Sequence, residues 1–234
     1  MRTYVATVAL RPLTSIRAMS ERAGARNTVR VLLLCVLGAG LAGCLPNPAA
    51  VPPQQYFVLN DLAKPVAGKP PAQTAGRALL LNPTATSSFY DTQSMAYSRA
   101  AGQRGYYQFA GWTERPGRRF SELLLRRLEM RGAFGSVAST TAGVRGDIVL
   151  NTRLEELYHE TNASPGRVVV EVTAEIVDYA ERTMVARRRF SQSVPAGGDN
   201  AAAAVNAFNQ AVTTLLDEIS AWVEATAVAQ PQSR

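Results

Sequence analysis

Few groups in this chain can do covalent or acid–base chemistry, and their spacing narrows them further. One thiol, Cys44, follows Leu41-Ala42-Gly43 at the end of an apolar run. A thiol behind small side chains is a nucleophile that a processing enzyme can reach. The chemistry this spacing suits is alkylation at sulfur with cleavage just ahead of the cysteine. The other thiol, Cys35, lies inside the same apolar run, and no cysteine follows Cys44. Disulfides, thiolate zinc sites and cysteine nucleophiles are therefore excluded from the remainder. His159 is the sole histidine, and neither a Gly-x-Ser-x-Gly elbow nor a His-Glu-x-x-His pair accompanies it. It is expected at the surface near a strand end. Glu171 and Glu175 share a strand face, but four residues at ~3.4 Å each set them about 13.6 Å apart, beyond the ~6.5–9.5 Å of inverting glycosidases. Gly38-Ala39-Gly40-Leu41-Ala42-Gly43 matches a dinucleotide fingerprint by letter, yet it belongs to the leader described next. With no Walker motif either, the chain reads as non-enzymatic, with no cofactor and no metal.

The elements around Cys44 explain its position. An arginine-bearing stretch ends at Arg30, twelve residues of apolar core run from Val31 to Ala42, and small residues precede the cysteine. At ~1.5 Å per residue that core is about 18 Å long, short of the ~30 Å hydrocarbon layer, so it predicts a cleaved leader over residues 1–43 and not a retained span. Leu41-Ala42-Gly43-Cys44 looks like the bacterial lipobox, in which the cysteine receives a diacylglyceryl group and becomes the first residue after cleavage. An ordinary leader with an incidental cysteine is the plainer alternative. The stretch before Arg30 is long, and Met19 would begin a leader of more usual proportions than Met1 does.

Removing the leader changes the charge argument. Of the formal net charge of +7, residues 1–43 carry +5, six arginines against Glu21. The remaining +2 gives no ground for a nucleic-acid partner. The 191 residues from Cys44 onward suffice for one domain with a real core.

Residues 44–54 read as a lipidated cysteine and a proline-rich tether, Leu45-Pro46-Asn47-Pro48 through Pro52-Pro53-Gln54, with Gln55 at its boundary. Eleven residues at ~3.1 Å each reach about 34 Å. Two or more acyl chains anchor durably where one holds weakly. Leu45 stands where an aspartate would signal retention at the inner membrane, so similarity to sorted lipoproteins points to the periplasmic face of the outer membrane.

Residues 55–226 are expected to form one α/β domain: a mixed central sheet, two main helices packed on it, and an antiparallel meander in the second half. Gln55–Asn60 alternates as a strand. Arg77–Asn82, with unbroken Ala78-Leu79-Leu80-Leu81, predicts a strand buried on both faces under helices. Short strands are expected at Ser94–Ser98 and Tyr106–Phe109 around a turn at 101–105. Pro116 and Gly132 bracket a helix whose face is Phe120, Leu124 and Leu128, with Arg118, Arg126, Arg127 and Glu129 mainly elsewhere. Longer strands follow at Asp147–Glu155, Val168–Tyr179 and Met184–Val194. The closing helix, capped by Asp199 or Asn200, carries Ala204, Val205, Phe208, Val212, Leu215, Ile219 and Trp222 on one stripe. Residues 227–234 read as a disordered tail.

The order of these pieces is recognisable. The tethered Tyr56-Phe57-Val58-Leu59 strand, the Leu79-Leu80-Leu81-Asn82-Pro83 strand end and Phe89-Tyr90-Asp91 come first. Met95-Ala96-Tyr97, Tyr106-Tyr107 before Trp112, then Leu124, Leu128 and Phe134 follow. Together they resemble the ABC-type transport auxiliary lipoprotein family, which includes the paraquat-inducible C-type lipoproteins. The resemblance covers about residues 55–223. It implies a mixed α/β sheet with helices on its faces and no cofactor. It also implies an outer-membrane lipoprotein serving an ATP-driven system whose periplasmic subunits are mammalian-cell-entry domain proteins, which moves phospholipids or other hydrophobic molecules between membranes. A homo-oligomeric ring is a further implication by analogy.

The surface expected to receive those subunits is Tyr90, Asp91, Tyr97, Arg99, Tyr106 and Trp112, because aromatic and arginine side chains dominate binding hot spots. Core packing is the competing role, with Trp112 the first to be buried. Arg187-Arg188-Arg189 invites a lipid-headgroup role, but strand alternation splits it, and a charged edge that discourages aggregation accounts for it. A pilot lipoprotein assisting assembly of an outer-membrane protein, and a periplasmic hydrolase without a visible motif, are the alternatives.

Overall fold

The computed structural model describes residues 52–64 and 76–228. The leader with its Leu41-Ala42-Gly43-Cys44 motif, the choice between Met1 and Met19, most of the tether and the chain beyond Val228 lie outside the described residues. The elements are β1 (Gln55–Phe57), β2 (Ala78–Leu81), β3 (Ala85–Thr86), β4 (Ser94–Ser98), β5 (Gly105–Trp112), α1 (Pro116–Arg131), β6 (Ser136–Ser139), β7 (Ile148–Glu160), β8 (Arg167–Asp178), β9 (Thr183–Pro195) and α2 (Ala201–Val228).

All nine strands form one mixed sheet, with β7 as its spine. Along one edge β7 pairs antiparallel with β8, which pairs with β9, giving the expected meander. Along the other edge three short strands take turns, all parallel to it. β2 lies beside Ile148–Leu150, β3 beside Arg153 and Leu154, and β4 beside His159 and Glu160. The sheet therefore forks: β6 lies outside β2, while β5 and then β1 lie outside β4.

Both helices cover the same face. Phe120, Leu124 and Leu128 of α1 and Phe208, Leu215 and Ile219 of α2 join Leu79, Leu81, Ile148, Leu150, Val170, Val172 and Ile176 in one core. Leu80 and Val149 are also buried but lie outside that cluster, on the opposite, open face. The triple leucine is thus enclosed on both sides, yet on the open side a loop replaces the expected helix. Gly146 packs so close that a Cβ there would fall 2.3 Å from Leu80 Cγ.

Helix ends follow local chemistry. Proline is tolerated where α1 begins, and Gly132 at φ 65 sends its N–H to the Leu128 carbonyl. Asn200 caps α2, its Oδ1 accepting from Ala203 N–H at 2.9 Å, while Asp199 instead accepts from Gly166 N–H at 3.2 Å.

Several expectations are corrected. β1 stops at Phe57, because Leu59 C=O accepts from Arg119 Nε (2.9 Å) and Asn60 N–H donates to Asn209 Oδ1 (2.9 Å), turning the chain toward the helices. β7 runs to Glu160: a bulge between Leu154 and Glu156 resets its alternation, so that Leu157 and His159 continue the inner row. Arg127 is buried, not on a solvated helix face. It binds both carboxylate oxygens of Asp61 and also Asp217. His159 is 0% exposed, not at the surface.

Candidate partner interface

The fork brings three segments together at one end of the sheet: the turn after β3, the β4–β5 hairpin and the far end of β7. Tyr90 and Asp91 donate their N–H groups back to Ser87 C=O, both at 3.0 Å, which folds Phe89 and Tyr90 into a tight turn. Gly102, at φ 73, supplies the left-handed residue of the β4–β5 turn. The parallel register of Tyr97 with His159 then sets the hairpin beside Glu156, Tyr158 and Glu160.

The result is a chain of aromatic and guanidinium groups. Phe89 stacks on Tyr106 with centroids 4.6 Å apart and meets Tyr90 edge-on at 5.1 Å. The Tyr106 hydroxyl donates to Phe89 C=O at 2.6 Å, fixing a ring that is 41% exposed. Arg99 lies over Tyr97 (5.1 Å), and Arg104 over Tyr158 (3.6 Å). Arg104 also donates to the Tyr90 hydroxyl at 3.1 Å and to Glu156 at 3.2 Å, while that hydroxyl donates to Glu156. Burial and then the Glu156 carboxylate raise the Tyr90 phenol far above its ordinary range, so it stays a donor. Asp91 pairs with Arg115 at 3.3 Å, and both line a polar hollow of about 380 Å³ with Tyr56, Gln93 and Gln108.

The six expected residues separate. Asp91, Arg99 and Tyr106 are exposed and Tyr97 is half-buried, whereas Tyr90 is 7% and Trp112 1% exposed. Trp112 meets Phe208 edge-on at 5.3 Å beneath α2, so it holds the core and leaves the surface set. Tyr90 works from below, through its hydroxyl. Phe89, Arg104 and Tyr158 belong to the cluster and were missed. Little local marks Arg104, whose cluster partners Tyr90 and Glu156 sit 14 and 52 residues away and whose stacking partner Tyr158 is on β7 as well.

Just inside this end, the Tyr107 hydroxyl and His159 Nδ1 share a 2.8 Å hydrogen bond, and His159 Nε2 is buried with no partner. Burial lowers the imidazole pKa, and burial followed by Tyr97 pushes the Tyr107 phenol up to about 12. Glu171 and Glu175 are each held by an arginine, Arg189 at 3.1 Å and Arg187 at 3.3 Å. Arg188 turns the other way over Phe190, as alternation requires. Among the described residues no group of three His, Cys, Asp or Glu side chains is placed to hold a metal, and no helix is long and apolar enough to cross a membrane.

The profile of the ABC-type transport auxiliary lipoprotein component matches residues 57–220. The chain belongs to that family. Among solved structures, this auxiliary lipoprotein is similar to a protein of Xanthomonas campestris at 21% identity, covering 74% of this chain and 95% of that one, with a TM-score of 0.66. A second, uncharacterised protein is 14% identical over 74% of this chain and 99% of its own, with a TM-score of 0.59. The PelC dodecamer of Paraburkholderia phytofirmans follows at 16% identity over 64% and 92%, with a TM-score of 0.39. No curated protein sequence matched the chain. The first two similarities establish the fold, and the family match establishes an auxiliary lipoprotein of ABC-type transport.

Proposed function

We propose that acyl chains on Cys44 hold this lipoprotein at the periplasmic face of the outer membrane. Its aromatic and arginine surface there receives the mammalian-cell-entry subunits of an ATP-driven lipid transport system. The observation that carries this reading is the exposed Tyr106 ring stacked on the half-buried Phe89, flanked by Arg99 on Tyr97 and Arg104 on Tyr158. Rings at the centre with charges at the rim are the composition of a protein-binding surface, and the prior fixation of Tyr106 lowers the entropy lost on docking. The protein itself does no chemistry; the ATPase elsewhere supplies the energy.

Photo-crosslinking from position 106 in intact cells tests it. Capture of mammalian-cell-entry and permease subunits supports the reading, and capture of an outer-membrane barrel alone overturns it in favour of a pilot. Turnover of a lipid or peptide by the purified chain would overturn the non-enzymatic part. The ring implied by resemblance would appear in mass photometry as a multiple of the protomer.

A further inference from the structure

The open face of the sheet carries side chains in ordered cross-strand rows. Leu80, Val149, Val177 and Met184 stand opposite one another across β2, β7, β8 and β9. The next row is polar: Asn151, Glu175 and Arg187, with Asn82 donating to Asn151 at 2.6 Å. The row after that is Arg153, Thr173 and Arg189. Two hollows follow these rows. One, of about 370 Å³, is lined by Arg153, Thr173, Glu175 and Arg187, and the other, of about 740 Å³, by Val149, Val177 and Tyr179. They share Asn82 and Asn151, so they adjoin.

Within the two polar rows one charge is unbalanced, and Arg182 beside the second hollow is likewise in no ion pair among the described residues. Arg187 and Arg189 are held by Glu175 and Glu171, while Arg153 is exposed and has no carboxylate partner among the described residues. Beside it Thr173 is 5% exposed, and its hydroxyl has no hydrogen-bond partner. A buried hydroxyl without a partner is costly, and most find one. An uncommitted guanidinium next to an uncommitted hydroxyl and an amide pair suits an anionic oxygen group. The second hollow, one row away, is also lined by Thr140, Asp178 and Arg182, but its Val149–Val177 floor beside Tyr179 suits a hydrocarbon tail.

We infer that the open face binds one anionic phospholipid molecule, its phosphodiester against Arg153, Thr173 and Asn151 and an acyl chain along Val149, Val177 and Tyr179. This goes beyond the docking role and rests on the lipid-transport reading only in choosing a phosphodiester over other anionic heads. The site shares no side chain with the aromatic cluster, although both use β7, so each reading has its own readout: loss of captured subunits strikes the docking reading, and loss of lipid adducts strikes this one.

The test is native mass spectrometry of the full chain, expressed with its leader and purified in a nonionic detergent. It is titrated with phosphatidylglycerol, with phosphatidylcholine of the same acyl chains, and with glycerol phosphate. The expected result is a one-to-one phosphatidylglycerol adduct about tenfold tighter than that of phosphatidylcholine. Arg153→Gln removes that preference, Val177→Ser weakens both lipids, and Arg188→Gln, on the helix-covered face, changes neither. Equal binding of the two lipids, or an Arg153→Gln variant that binds like its parent, overturns the inference. Glycerol phosphate binding as tightly as the lipid would reduce the site to a free-anion site and overturn the tail. A dimer dispersed by Arg153→Gln would show a second copy covering this face and overturn it outright.

Discussion

Arg127 of α1 holds Asp61, 66 residues earlier, through Nε to Oδ2 at 3.0 Å and Nη2 to the same oxygen at 2.6 Å. The two side chains are 6% and 12% exposed, whereas Asp217, the other partner of Arg127, is 54% exposed. Removing one member of a buried pair leaves an uncompensated charge, and an exposed partner contributes little. Asp61→Ala is therefore expected to destabilise by roughly 3 kcal/mol. Asp217→Ala should cost under about 1 kcal/mol. Urea unfolding of the three proteins checks the order, and equal losses would contradict it.

Trp112 and Tyr106 share a strand and should behave oppositely. Trp112→Ala is expected to cost about 3–5 kcal/mol through the cavity left against Phe208. Tyr106→Ala should cost about 1 kcal/mol and abolish subunit capture at unchanged fold. Thermal melts read beside pull-downs separate the two. A Tyr106 variant that captures normally removes it from the interface.

Gly117 lies in the first turn of α1, where alanine ordinarily favours a helix by up to about 1 kcal/mol. A Cβ there would fall 2.1 Å from Thr86 Oγ1 of β3. The clash outweighs propensity, so Gly117→Ala is expected to destabilise by about 1–3 kcal/mol. Combined with Thr86→Ala, which removes the oxygen, the same change should become neutral or favourable. A double-mutant cycle measures the coupling, and additive effects would refute it.

His159 gives the fold an acid-sensitive term. Burial depresses its pKa below the ordinary 6.5, opposed by the field of Asp199. The groups around it are Tyr107 at Nδ1, Asp199 ahead of α2 and Gly166 beside Nε2. Because the unfolded chain takes up this proton first, the stabilisation is complete above pH 6.5 and declines as pH falls toward the depressed value. Asp178 adds a second loss further down. The Glu181 N–H first, then Arg77 and the Ala180 N–H, hold its carboxyl below 3.8 against burial. Unfolding free energies from pH 8 to 5 should slope in the parent chain and flatten in His159→Gln. An identical slope would show that other groups titrate.

The readable parts of this fold are those whose signal is local. Val170, Val172, Ala174 and Ile176 alternate against Glu171, Thr173 and Glu175, and β8 lies where that pattern puts it. Pro116, Gly132 and the Asn200 cap mark helix ends by their own chemistry. What escaped depends on partners far along the chain. β3 and β6, two and four residues long, exist only because β7 and β2 lie beside them. The bulge at Glu155 hid the last third of β7, since an alternation that changes phase looks like its end. At the candidate interface the rings and Arg99 were legible as residue types. Their division between surface and core was not, because it follows from α2 lying over Trp112.

The grip of α2 on the first strand's sequel also sets an order of events during synthesis. Asn60 and Leu62 are bonded by Asn209 and Thr213, 149 and 151 residues downstream, and α2 supplies one wall of the core. Contacts of such sequence separation form late, and none can form before the C-terminal helix has left the ribosome. Until then the nascent polypeptide lacks that wall, and the segment after β1 is without the two clamps that hold it.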